Sequence, residues 1–149
     1  MEELILNDQS ILFDRDATIA VYRTIEGGDA DRCACATCKN FRLFRNQVYG
    51  PKLYQLLEHL GVDPLKEWEI YSVGVEIQDR IQCGGWFPFV GEWSSKNNSR
   101  QASSIPSQYQ SFSFTDSFPN ASKRFGSKVL AVEFEIGVPK GKDYISDWI

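Results

Sequence analysis

From Glu69 to Ile77 the chain alternates, with Tyr71, Val73, Val75 and Ile77 at every second position; after Gln78-Asp79-Arg80 an apolar run returns from Ile81 to Trp93. A period of two puts alternate side chains on one face, so this stretch predicts a half-buried strand, a hairpin turn and a second strand. Two later runs alternate in the same way. Tyr109 to Thr115 carries Phe112 and Phe114 inward, and Lys128 to Gly137 carries Leu130, Val132, Phe134 and Ile136 inward. Within the returning strand, Gly84-Gly85 signals a bulge or a close backbone approach, and Pro88, lacking an amide hydrogen, signals an edge position and a bend.

Helical spacing belongs to the first half of the chain. Gly50 breaks, Pro51 suits the first helical position, Leu53, Leu56, Leu57 and Leu60 make an apolar stripe, and Gly61 supplies the terminating residue. Just before it, Cys38, Phe41, Phe44 and Val48 recur at helical spacing. Further upstream, Ile11-Leu12-Phe13 and the β-branched segment Thr18–Ile25 predict a hairpin, and Glu26-Gly27-Gly28-Asp29 reads as a flexible break. The polar tract from Ser94 to Gln108 offers too little apolar surface to offset the entropy of ordering, which predicts a mobile loop over about 94–108. Phe118 to Phe125 holds a single helical turn. Strands that flank a contiguous pair of helices, rather than alternating with them, imply an α+β fold: a mainly antiparallel, bent sheet with the helix pair packed on it. With 149 residues, 42% of them hydrophobic and 13% aromatic, the chain suits one domain spanning 1–149.

A formal net charge of −4 disfavours nucleic acid as a partner, because phosphate backbones are met by clustered Lys and Arg. The start, Met1-Glu2-Glu3-Leu4, is acidic, and no apolar run approaches the ~20 residues of a membrane span, so the expectation is a soluble, cytoplasmic protein without a membrane partner.

Three of the four cysteines fall in Cys33-Ala34-Cys35-Ala36-Thr37-Cys38, at the entrance of the first helix of the pair. Such spacing suits metal or thiol chemistry better than a disulfide scaffold. Zinc takes about four soft or borderline ligands, of which Cys33, Cys35 and Cys38 supply three, leaving Cys83 or His59 to complete the site. Backbone amides at a helix start, with Arg32, Lys39 and Arg42 nearby, favour thiolates there. A redox reading takes Cys35-x-x-Cys38 with Cys35 as the attacking thiolate, but no βαβ units follow. The plain alternative is that small, apolar cysteines pack beneath the helix.

No catalytic residue is assigned. His59 is the only histidine and lies beside the leucine stripe, and neither a nucleophile elbow nor a phosphate loop is present. Asp14, Asp16, Glu26, Asp29 and Asp31 form an acidic run, and Trp86, Phe87, Phe89 and Trp93 an aromatic group. Asp29, Asp31, Trp86 and Trp93 are therefore the candidate partner-binding residues. Two functions compete: a non-enzymatic, acidic protein-binding module that neutralises a toxin or enzyme, as an immunity or inhibitor protein does; and a metal- or thiol-dependent protein, with zinc or no cofactor at all.

Three segments, Cys33-x-Cys35-x-x-Cys38-x-Asn40-Phe41, Leu60-Gly61-Val62-Asp63-Pro64 and Gly85-Trp86-Phe87-x-Phe89-Val90-Gly91, together resemble a set of small, functionally uncharacterised bacterial proteins. The resemblance implies a shared fold and, at the position of Pro88, a histidine or other polar residue that this chain lacks. Size, acidity and an α+β plan are also similar to immunity proteins that neutralise bacterial toxins.

Overall fold

The computed structural model describes residues 1–94, 110–119 and 123–145. Six antiparallel strands form one sheet: β1 (Glu2–Leu6), β2 (Gln9–Phe13), β3 (Glu69–Ile77), β4 (Arg80–Trp93), β5 (Gln110–Thr115) and β6 (Val129–Pro139). The order is β1-β2-β4-β6-β5, with β3 also on β4. β4 organises this arrangement. One of its edges pairs with β6 from Arg80 to Val90; the other takes β3 at its start and β2 at its end.

Pro88 falls in the gap between those two partners, so it occupies a local edge inside an otherwise central strand. Side chains of a helix fill the gap: Tyr22 Oη donates to the Pro88 carbonyl at 2.7 Å, and Val90 N donates to Thr18 Oγ1 at 3.0 Å. The turn between β3 and β4 is Gln78-Asp79, both at positive φ as a two-residue hairpin loop requires. Gly85 marks a close approach, since a Cβ there would overlap the Glu69 carbonyl.

The segment expected to return as a strand is instead helix α1 (Arg15–Arg23). Asp14 decides this: its extended backbone and a carboxylate accepting from Ala17 N at 3.0 Å make an N-cap, which β propensity at Thr18, Ile19 and Val21 does not outweigh. Thr18 and Tyr22, four residues apart, form its buried face, and Ile11–Phe13 pairs with β1 and β4 instead. The described residues thus hold three α-helices rather than the expected pair: α1, α2 (Ala36–Phe44) and α3 (Gly50–Leu60).

α3 follows its sequence signals. Pro51 sits in its first turn, Gly61 ends it at φ 85°, and Leu53, Leu56, Leu57 and Leu60 are buried, each burial contributing about 1.5–3 kcal/mol. The helices meet the sheet through rings, with Tyr49 against Phe87 and Phe134, and His59 on α3 against Phe13.

Phe112, Phe114, Leu130, Val132, Phe134 and Ile136 all lie inward, as their alternation requires. β3 is a strand with the opposite facing from that expected. Tyr71, Val73, Val75 and Ile77 are 37–52% exposed, and Ile70 is its buried residue. The sheet's pleat puts Ile70, opposite Gly85, on the helix side, and the register breaks between Ser72 and Glu76. A short 3-10 turn at Lys123–Phe125 stands within the expected single helical turn. The loop expected over 94–108 lies outside the described residues from position 95 onward.

Candidate metal centre

The loop carrying the thiols is held by charged groups from elsewhere in the chain. Asp29–Arg32 forms a 3-10 turn whose start is pinned to Glu67: Asp29 N donates to the Glu67 carbonyl at 2.9 Å, and Ala30 N to Glu67 Oε2 at 3.1 Å. Arg42, in the last turn of α2, donates to the Cys33 carbonyl at 2.8 Å and to the Ala30 carbonyl. Arg45 joins Asp31 at 2.9 Å and Glu67 at 3.0 Å. The Glu67 and Arg42 bonds fix backbone within four residues of Cys33, and Arg45 ties the Asp31 and Glu67 side chains together.

Cys33 caps the end of the 3-10 turn, and Cys35 is the N-cap of α2, its sulfur accepting from Cys38 N at 3.4 Å. One turn of helix thereby brings Cys38 back beneath the loop. The Sγ atoms of Cys33, Cys35 and Cys38 all lie within 4.8 Å of one another, and Cys33 and Cys35 are 3.1 Å apart. Cys38 is buried; Cys33 and Cys35 are partly exposed.

Cys33 and Cys38 differ in acidity. The Cys35 N–H, and then the thiols of Cys35 and Cys38, hold Cys33 below the usual thiol range. Burial, reinforced by the two neighbouring sulfurs, pushes Cys38 far above it. The exposed end of the cluster is thus the more acidic and the buried end the less. A soft cation bound there would be held by Cys33, Cys35 and Cys38 as thiolates, their protons passing to solvent. Tetrahedral zinc at about 2.3 Å from each ligand asks for sulfurs under ~4 Å apart, close to the present spacing.

Cys83 lies outside this group. It is buried in β4 opposite Ile136 and Ser72, and burial, with the charge of Cys35 as a second cause, pushes its thiol up to about 12. His59 packs on Phe13, with ring centres 5.3 Å apart, and is likewise outside the group. Among the described residues, then, the group that can hold a metal is a three-thiol set with its outer side toward solvent.

Three of the four candidate partner residues are hydrogen-bonded within the chain, and the fourth, Trp86, is buried. Asp29 Oδ2 accepts from Ile70 N at 3.0 Å, and Asp31 accepts from Gly28 N at 2.8 Å besides its bridge to Arg45. Against slight burial, which raises it, the Gly28 N–H and Arg45 hold the Asp31 carboxyl below its ordinary value. Trp93 Nε1 donates to Asp116 at 2.8 Å, and Trp86 is only 7% exposed. Glu67 and Arg45, which brace the loop, carry no signal in the sequence, because their partners lie 14 to 37 residues away.

These features define an α+β chain with a surface three-thiol centre on a braced loop. Comparison with protein-family models, with curated proteins and with solved structures found no match.

Proposed function

We propose that this chain is a metal-binding protein whose Cys33, Cys35 and Cys38 thiolates hold a single soft or borderline divalent ion, zinc foremost. The observation that carries the reading is the mutual approach of three Sγ atoms within 4.8 Å on a loop braced by Arg42, Arg45 and Glu67. Packing alone explains a buried Cys38, but it gives no reason for two partly exposed sulfurs to face it. Three protein ligands on a solvent-facing site leave the fourth position to water or to a donor brought from outside.

Native mass spectrometry of protein purified without chelator or a metal-affinity tag tests it. One zinc per chain is expected, lost in Cys33→Ser, Cys35→Ser and Cys38→Ser alike. A metal-free chain that takes up no added zinc overturns the reading.

A second reading rests on the 3.1 Å between Cys33 and Cys35. With hydrogen peroxide as oxidant, the Cys33 thiolate attacks one peroxide oxygen, the O–O bond breaks and hydroxide leaves, giving a sulfenic acid; the Cys35 thiol then attacks that sulfur, the S–O bond breaks and water leaves, so that a disulfide forms by a net two-electron oxidation. A loss of two mass units that appears with peroxide and reverses with dithiothreitol, in a chain that binds no metal, would select it.

A further inference from the structure

The face of the sheet opposite the helices has a defined chemical pattern. Across one row of paired strands stand Glu69, Trp86, Glu133 and Ser113; across the next stand Tyr71, Gly84, Glu135 and Ser111. Gly84 leaves a notch between β3 and β6, and the Tyr71 ring lies over it, since a Cβ on Gly84 would come within 2.8 Å of that ring. Tyr71 and Trp86 sit side by side with ring centres 6.0 Å apart. A shallow cavity of about 210 Å³ opens there, lined by Tyr71, Val73, Gly84, Ser111, Glu133 and Glu135 among others.

The helices pack on the other side of the sheet, against Phe87, Phe134 and Phe13, and Glu133 and Glu135 are exposed. Neither glutamate has an ion-pair partner among the described residues. Two buried polar atoms on the same face, Gln82 Oε1 and Trp86 Nε1, also lack hydrogen-bond partners there; their residues are 6% and 7% exposed. Buried polar atoms without partners mark places where a ligand or ordered water completes the bonding. The Tyr71 phenol is raised by burial first and then by the charges of Glu133, Glu69 and Glu135, so those carboxylates converge on one ring.

We infer that this face docks a lysine- or arginine-bearing segment of a partner protein, its cationic side chain seated among Tyr71, Glu133 and Glu135. Charge complementarity selects the occupant. Carboxylates beside an aromatic ring attract a cation by both Coulomb and cation–π terms. A second copy of this chain would bring the same carboxylates and a net charge of −4 against them.

Fluorescence anisotropy of the full chain with a labelled peptide alternating lysine and valine, beside one alternating glutamate and valine, tests this. The lysine peptide is expected to bind with an affinity that falls as salt rises. Glu133→Lys/Glu135→Lys is expected to weaken it by about ten-fold or more with an unchanged thermal melt. If that variant does not fold, Glu133→Gln/Glu135→Gln serves, with a smaller loss in the same direction. Absence of binding, equal binding of both peptides, wild-type affinity in the folded double variant, or a dimer in sedimentation that occupies this face would each overturn the inference.

Discussion

Arg45 Nε and Glu67 Oε1 lie 3.0 Å apart, with the Glu67 side chain withdrawn from solvent. Burial pushes the Glu67 carboxyl up to about 7, against the pull of Arg45 and of the Ala30 N–H. The folded chain therefore holds a proton that the unfolded chain releases at its ordinary value of 4.5. Glu67's contribution to stability is full below that value and is lost as pH rises toward about 7. For a shift of this size the loss is about 3 kcal/mol. Urea unfolding at about pH 5 and about pH 8 is expected to show it in the wild-type chain, and Glu67→Gln is expected to remove that part of the difference. Identical pH dependence in the two proteins contradicts the assignment.

Gly28 stands against the same carboxylate. A Cβ at this position would overlap Glu67, which has no freedom to move while it holds Ala30 N and Arg45. Gly28→Ala is expected to cost about 1–3 kcal/mol, the usual penalty of overpacking. Because the displaced turn carries Cys33, the variant is also expected to bind zinc more weakly in competition with a chromophoric chelator. Unchanged zinc affinity would mean that the brace does not position the loop.

Asp14→Ala removes the cap that makes α1 a helix, and about 1 kcal/mol of stability is expected to go with it. Asp14→Asn, which keeps an acceptor for Ala17 N, is expected to recover most of it. A chevron or equilibrium melt that separates the two variants checks the point.

The parts of this fold legible in the sequence are those whose signal is local. Pro51, the four leucines and Gly61 mark α3 at both ends, and the alternations of β5 and β6 give their inward residues. α1 was illegible for a local reason too: one aspartate outweighs three β-branched residues, and periodicity does not register a cap. For β3 the alternation reveals a strand but not which side of it meets the core, since that depends on pairing with Gly85 and Gly84 across a hairpin. Pro88 reads as an edge residue because sequence does not show that β4 changes partners midway along one side. The thiol triangle follows from a spacing that one helical turn can close, whereas the place of Cys83 and the bracing by Glu67 depend on contacts distant in the chain.

Cys83→Ala separates packing from ligation. Cys83 is 1% exposed in β4, so its truncation is expected to lower stability by about 1 kcal/mol while leaving one zinc per chain. Cys35→Ala, at a partly exposed position, is expected to do the reverse, with a small stability change in the metal-free state and loss of the ion. Native mass spectrometry paired with thermal melts reads both quantities. Loss of zinc on removing Cys83 would place a fourth thiol in the site.

The central claim, that Cys33, Cys35 and Cys38 together hold one metal ion, is tested most directly by X-ray absorption at the zinc edge on the zinc-loaded chain. The account predicts three sulfur scatterers at about 2.3 Å and one lighter atom at about 2.0 Å. A shell of oxygen and nitrogen without sulfur, or of a single sulfur, would contradict it.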